Sequence, residues 1–170
     1  MKKEPLLSIL DMLKMKQFFL VLLIISLAAC EQDGLNWADV KAEIQKEFPA
    51  VERISVSELK TIDLEDVLLV DVRKKEEFAV SHIPGAVNLE DPLDIVELAS
   101  QSDKNIIAYC SVGYRSAAVV HELNKLGITN ATNLEGSIFE WANEDLPLIN
   151  KAGSTREVHP YDDYWGQLLH

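Results

Sequence analysis

Apolar and polar residues alternate along this chain in two rhythms. Val67-Leu68-Leu69-Val70 and Ile106-Ile107-Ala108-Tyr109 are continuous apolar runs of strand length, the pattern of strands covered on two faces of a parallel sheet. Other stretches repeat at helical spacing. Trp37, Val40, Ile44 and Phe48 form one stripe, with Asp39, Lys41, Glu43 and Glu47 on the remaining faces; this predicts an amphipathic helix closed by Pro49, its stripe serving either a core or a partner surface. Arg53 to Val56 reads as a short strand, and Ser57 as the N-cap of a brief helix through Lys60. Asp91-Pro92 opens a helix reaching about Ser100. Ser116 to Leu126 places Val119, Val120, Leu123 and Leu126 on one side and stops at Gly127, as a C′ glycine would stop it. A strand over Ala131 to Leu134 and a helix over Ile138 to Asn143 follow. Strands alternating with helices predict an α/β domain with a parallel sheet, in which ligands bind beyond the carboxyl ends of the strands. Asp71 and Cys110 both stand at such ends.

The amino-terminal pattern differs. Phe18 to Ala29 is apolar except for Ser26, preceded by Lys14 and Lys16 and followed at once by Cys30. A bilayer-spanning helix needs roughly 20 apolar residues, so this shorter run reads as the apolar region of a secretory signal covering residues 1–29. Leu27-Ala28-Ala29-Cys30 resembles a bacterial lipobox, which implies lipidation of Cys30 after cleavage; the alternative is an ordinary signal with an incidental cysteine. Met15 opens a well-formed signal by itself, whereas Glu4 and Asp11 are acidic residues that such leaders lack, so translation is expected to start at Met15. Residues 30–50 then form a lipid-anchored spacer and amphipathic helix, 51–150 the main domain, and 151–170 an aromatic extension. Glu31 after Cys30, where aspartate is the inner-membrane retention signal of enteric bacteria, points to a periplasm-facing lipoprotein of the outer membrane.

Composition narrows the function. The 16 basic residues against 28 acidic ones leave a net charge of −12, which repels a nucleic-acid backbone, so no nucleic-acid partner is expected. Two cysteines, Cys30 and Cys110, exclude a disulfide scaffold, and the histidines have no metal-ligand spacing with them, so no metal is expected.

The chemistry concentrates in Tyr109-Cys110-Ser111-Val112-Gly113-Tyr114-Arg115-Ser116. A thiol ends a buried strand, a short turn with glycine follows, and a helix begins. Such a loop can aim successive backbone N–H groups at the sulfur, the helix adds the partial positive charge of its first turn, and Arg115 adds a full one. All three favour thiolate, and settings of this kind lower a cysteine pKa from about 8.5 into the range ~3.5–7.5.

Here the sequence resembles the rhodanese family of sulfurtransferases. Cys110 to Arg115 is similar to the family's C-R-x-G-x-R loop. Asp71-Val72-Arg73, Glu77-Phe78, His82-Ile83-Pro84-Gly85-Ala86 and Asn88 resemble its first signature, and Leu134-Glu135-Gly136-Ser137 with Trp141 its closing one. The resemblance covers most of residues 50 to 150 and implies a rhodanese-like α/β fold, with a central parallel sheet of about five strands and helices on both faces. It implies attack by Cys110 on the outer sulfur of a small sulfur-containing anion such as thiosulfate, a persulfide on that cysteine, and transfer to a thiol or protein acceptor, with no cofactor. The loop residues Ser111, Val112, Gly113, Tyr114 and Arg115 would bind the anion, Asp71 would support the loop, and Arg73 with Glu77 would form a structural ion pair. Ser111 stands where many thiosulfate-using members carry arginine, which weakens the expectation for thiosulfate itself. Ser81 and Ser137 replace glycines, with effects expected on turns rather than chemistry. His82 belongs to a turn signature and Ser116 to a helix start.

Two other functions compete. Cysteine phosphatases use C-x5-R, but only four residues separate Cys110 from Arg115, a loop too short for a phosphoryl group. A non-catalytic rhodanese-like module that binds a partner or carries sulfur in the cell envelope remains the alternative. Trp37, Trp141 and Trp165 are expected to pack rather than bind a ligand, and the segment Val158 to Gly166 either folds back over the domain or presents its aromatics to a partner.

Overall fold

A computed structural model describes residues 34–170. The leader, the start at Met15 and the lipidated Cys30 lie outside the described residues.

Helix α1, Trp37–Glu47, is capped by the Asn36 side chain, which accepts from the Asp39 N–H, and it buries Val40 and Ile44. Its apolar stripe is therefore core, each such side chain contributing roughly 1.5–3 kcal/mol by leaving water. Strand β1 is only Arg53–Ile54 and helix α2 is Val56–Leu59. The cap is Ser55, not Ser57. Ser55 Oγ accepts from the Glu58 N–H while Glu58 reaches back to the Ser55 N–H, a reciprocal box that the spacing from Ser57 does not offer.

Strand β2, Val67–Asp71, leads to helix α3, Lys75–Val80, and edge strand β3, Val87–Asn88. Helix α4, Pro92–Ala99, begins at the Asp91 cap and precedes strand β4, Asn105–Tyr109. Helix α5, Tyr114–Lys125, strand β5, Ala131–Leu134, and helix α6, Ser137–Asn143, complete the alternation. Five parallel strands form one sheet in the order β1-β5-β4-β2-β3. Ile106, Ile107, Ala108 and Tyr109 are all buried; because successive strand residues point to opposite faces, both faces of β4 are covered.

The strand order fixes where a ligand can enter. From β2 the chain passes to β3 on one side, and from β4 to β5 on the other, so the connections leaving these neighbours diverge and open a crevice at their carboxyl ends. Asp71 pairs in register with Tyr109 there, and Cys110 follows immediately.

Beyond α6 lies an antiparallel hairpin of strands β6, Leu148–Asn150, and β7, Gly153–Thr155. It is stitched to the domain where His82 and Ile149 exchange backbone hydrogen bonds. The last residues fold back. A 3-10 turn over Trp165–Leu168 buries Leu168, whose carbonyl accepts from Asn143 Nδ2, while the His170 N–H donates to Asn143 Oδ1.

Candidate active site

The chain turns sharply between β4 and α5. Gly113 adopts φ +109°, a left-handed conformation that side chains resist, and a Cβ there would lie 3.4 Å from the Leu134 carbonyl oxygen. That turn aims the Gly113 N–H at Cys110 Sγ, 3.2 Å away. It also starts α5 at Tyr114, two residues before the predicted Ser116, so Ser116 falls in the first turn of the helix.

Cys110 is buried. Burial works against its ionisation, yet the Arg115 charge, the Ser116 N–H and hydroxyl, and the Gly113 N–H together bring the thiol below its ordinary value. Ser116 thus belongs to the sulfur's surroundings. The sequence signal for it was its place in the first turn after the loop, where N–H groups lack helical partners.

Helix α6 holds the loop from behind. The Cys110 N–H donates to Ser137 Oγ at 3.1 Å, and that hydroxyl donates in turn to the Leu134 carbonyl. The Ile138 and Phe139 N–H groups donate to the Cys110 and Ser111 carbonyls at 3.2 and 3.1 Å, and Asn133 Nδ2 donates to the Gly113 carbonyl at 3.1 Å. Ser137 itself sits at φ +50°. Serine in place of glycine at 137 therefore does more than adjust a turn, because its hydroxyl ties the Cys110 backbone to β5.

Arg115 faces the crevice. Its Nη1 and Nη2 donate to Glu77 Oε2 and Oε1 at 2.8 and 2.7 Å, and Nη2 also donates to Ser111 Oγ at 3.0 Å. Glu77 is only 3 % exposed. The expected pair of Arg73 with Glu77 is not formed. Arg73, wholly buried, turns back to Asp71: Nε donates to Oδ1 at 2.9 Å and Nη2 to Oδ2 at 2.7 Å, with a further bond from Nη2 to the Ser81 carbonyl. Asp71 already accepts from the Arg73 backbone N–H, so the two charges meet two residues apart in one sealed corner, leaving Glu77 at the start of α3 free to meet the loop. Asp71 and Arg73 accordingly brace the end of β2 and do not line the pocket.

His82 is structural. Its ring stacks on Phe78 at 3.7 Å between centroids, and its Nδ1 lies 3.0 Å from the Phe78 carbonyl. Trp141 packs as expected, its indole N–H donating to the Pro147 carbonyl. Trp165 packs against the core as well, edge-on to Tyr164. It joins Tyr161, Cys110, Ser111, Val112, Tyr114 and Arg115 around a cavity of about 130 Å³ over the sulfur. Tyr161 lays its ring on Arg115, with the guanidinium carbon 4.8 Å from the ring centroid.

The model of the rhodanese-like domain family matches residues 55–144 of the chain. The chain belongs to the rhodanese-like family. A protein of Allochromatium vinosum named sulfurtransferase is 35% identical to it over 94 residues, which span 54% of this chain and 86% of that one. Among solved structures, a rhodanese-related protein from Thermoplasma volcanium is 28% identical, with a TM-score of 0.50 over 58% of this chain and 97% of that one. A thiosulfate sulfurtransferase from Pseudomonas aeruginosa shares the fold, with a TM-score of 0.56 at 18% identity over 77% of this chain and 25% of that chain. The family match of this rhodanese-like chain stops at residue 144, before the hairpin and before Tyr161 and Trp165.

Proposed function

We propose that this rhodanese-like protein is a sulfurtransferase whose Cys110 carries the sulfur as a persulfide. The observation that carries the reading is the arrangement around Sγ: a Gly113 N–H at 3.2 Å, the first turn of α5 and a guanidinium, converging on one buried thiol at the crevice of the sheet. In the first half-reaction the Cys110 thiolate attacks the outer sulfur of a sulfane donor; a new S–S bond forms to Sγ, the donor's S–S bond breaks, and the leaving group departs with the electron pair, as sulfite when the donor is thiosulfate. In the second, an acceptor thiolate attacks the outer sulfur of the persulfide; a new S–S bond forms to the acceptor, the bond from that sulfur to Sγ breaks, and Cys110 leaves with the electron pair as the thiolate. The same donors that favour thiolate favour the persulfide anion, so the loop serves both halves of the cycle. The lipobox-like Leu27-Ala28-Ala29-Cys30 supports a place in the bacterial cell envelope, tethered through Cys30 and facing the periplasm.

The test uses the detergent-solubilised full chain incubated with thiosulfate. One added sulfur on Cys110 by intact mass, with sulfite released, is the expected result; sulfur transfer unchanged in Cys110→Ala excludes the mechanism. Labelling of the cells' lipoproteins with a fatty-acid probe, absent in Cys30→Ala, tests the anchor.

A further inference from the structure

Residues 161–165 lie outside the family match, yet two of their side chains close the cavity over Cys110. The segment that carries them is held in place. Leu168 is buried in the core, both backbone bonds to Asn143 clamp the chain end, and Asp162 Oδ1 accepts from the Tyr164 and Trp165 N–H groups. The cavity is consequently bounded by rings. Tyr114, Tyr161 and Trp165 line it together with Val112, and Tyr114 is itself fixed edge-on against Phe48 at 5.5 Å.

Its charge is equally particular. Arg115 is the cationic side chain among the lining residues, and Glu77 already matches it through two hydrogen bonds. Ser111 takes a third bond from the guanidinium and adds no charge, and Tyr161 covers one face of it. With Cys110 ionised beside this neutralised pair, a second negative charge on an incoming donor meets repulsion and finds no free cation among the described residues that line the cavity. An apolar body on the donor finds walls. An enclosed apolar cavity of roughly 150 Å³ holds a benzene molecule, so about 130 Å³ partly open to solvent suits a phenyl-sized group.

We infer that Tyr161 and Trp165 are specificity-determining residues that select singly charged sulfane donors bearing an apolar group, such as aryl thiosulfonates, over inorganic thiosulfate. The inference rests on the sulfurtransferase reading above. The step balances: the Cys110 thiolate attacks the outer sulfur of R–SO2–S⁻, an S–S bond forms to Sγ, the bond from that sulfur to the sulfonyl sulfur breaks, and the sulfinate R–SO2⁻ leaves with the electron pair. Two negative charges enter and two remain.

The experiment measures second-order rates of Cys110 persulfidation, by intact mass, with benzenethiosulfonate, methanethiosulfonate and thiosulfate. The two thiosulfonates share charge and chemistry and differ in the ring, so their ratio reads the aromatic wall. In the full chain the phenyl donor is expected to react about tenfold faster than the methyl donor, the scale of one aromatic contact with its burial. Trp165→Ala and Tyr161→Ala are expected to bring that ratio toward one, with the melting curve of each variant showing that the domain remains folded; Tyr161→Phe keeps the ratio. A ratio near one in the full chain, or one that neither alanine variant changes, overturns the inference. Loading by none of the three donors overturns the sulfurtransferase reading instead.

Discussion

Glu77 and Arg115, 38 residues apart in sequence, meet in a two-pronged ion pair across the crevice between β2 and β4, with bonds of 2.8 and 2.7 Å. Glu77 stands on the connection leaving β2 and Arg115 on the one leaving β4, so the pair joins the two diverging arms of the sheet at the sulfur. Burial pushes the Glu77 carboxyl upward, but the Arg115 hydrogen bonds and charge outweigh it and hold the carboxyl below its usual value.

That pair ties stability to pH. A carboxylate whose pKa is depressed by folding stabilises fully above its unfolded value, and the contribution is lost as pH falls through the folded one. Glu77→Gln should therefore cost about 2 kcal/mol near neutrality, less than a fully buried pair because Arg115 is partly exposed. The difference from wild type should shrink in acid. Urea denaturation at a series of pH values measures both.

Arg115 is the strongest influence lowering the Cys110 thiol after burial has raised it. Alkylation of Cys110 by iodoacetamide should follow a titration centred below the ordinary thiol value, because the thiolate is the reacting form. Arg115→Ala should move that midpoint upward. Arg115→Lys, which keeps the charge and loses the planar fork toward Glu77, should fall between the two.

Asp71 and Arg73 are both fully buried. Asp71→Asn leaves a guanidinium sealed without its counter-charge, and the expected loss is about 3–5 kcal/mol, read as a lower denaturation midpoint. Burial works to lower the Arg73 pKa, and the hydrogen bonds and charge of Asp71 more than restore it. The site should suffer only through the fold, so the alkylation midpoint of whatever folded protein remains should be unchanged.

Gly113→Ala places a Cβ at φ +109° and 3.4 Å from the Leu134 carbonyl oxygen. The strain should cost about 1–2 kcal/mol. Relief of it turns the residue 113 N–H away from Sγ, so thiolate reactivity should fall together with stability. Alkylation rates at fixed pH beside melting curves would separate this from Gly127→Ala, a glycine at φ +90° with open space around it and no role at the sulfur.

The alternation of apolar runs with helical stripes already dictated a parallel α/β sheet, because residues buried on two faces cannot also alternate with polar ones. It placed Cys110 at a strand end before a glycine turn and a helix, which is enough to mark an anion-favouring thiol. These are local properties, legible within a dozen residues. Which charges would pair was not local: Arg73 has Asp71 and Glu77 at comparable distances along the chain, and only the divergence of the β2 and β4 connections brings Arg115 within reach of Glu77. The Ser137 hydroxyl under the Cys110 N–H depends in the same way on β5 lying beside β4. The fate of Tyr161 and Trp165 was the least readable of all. Aromatic residues beyond the alternating pattern can cover any surface, and it was the burial of Leu168 and its clamp on Asn143, contacts made by another residue of the same segment, that set them over the sulfur.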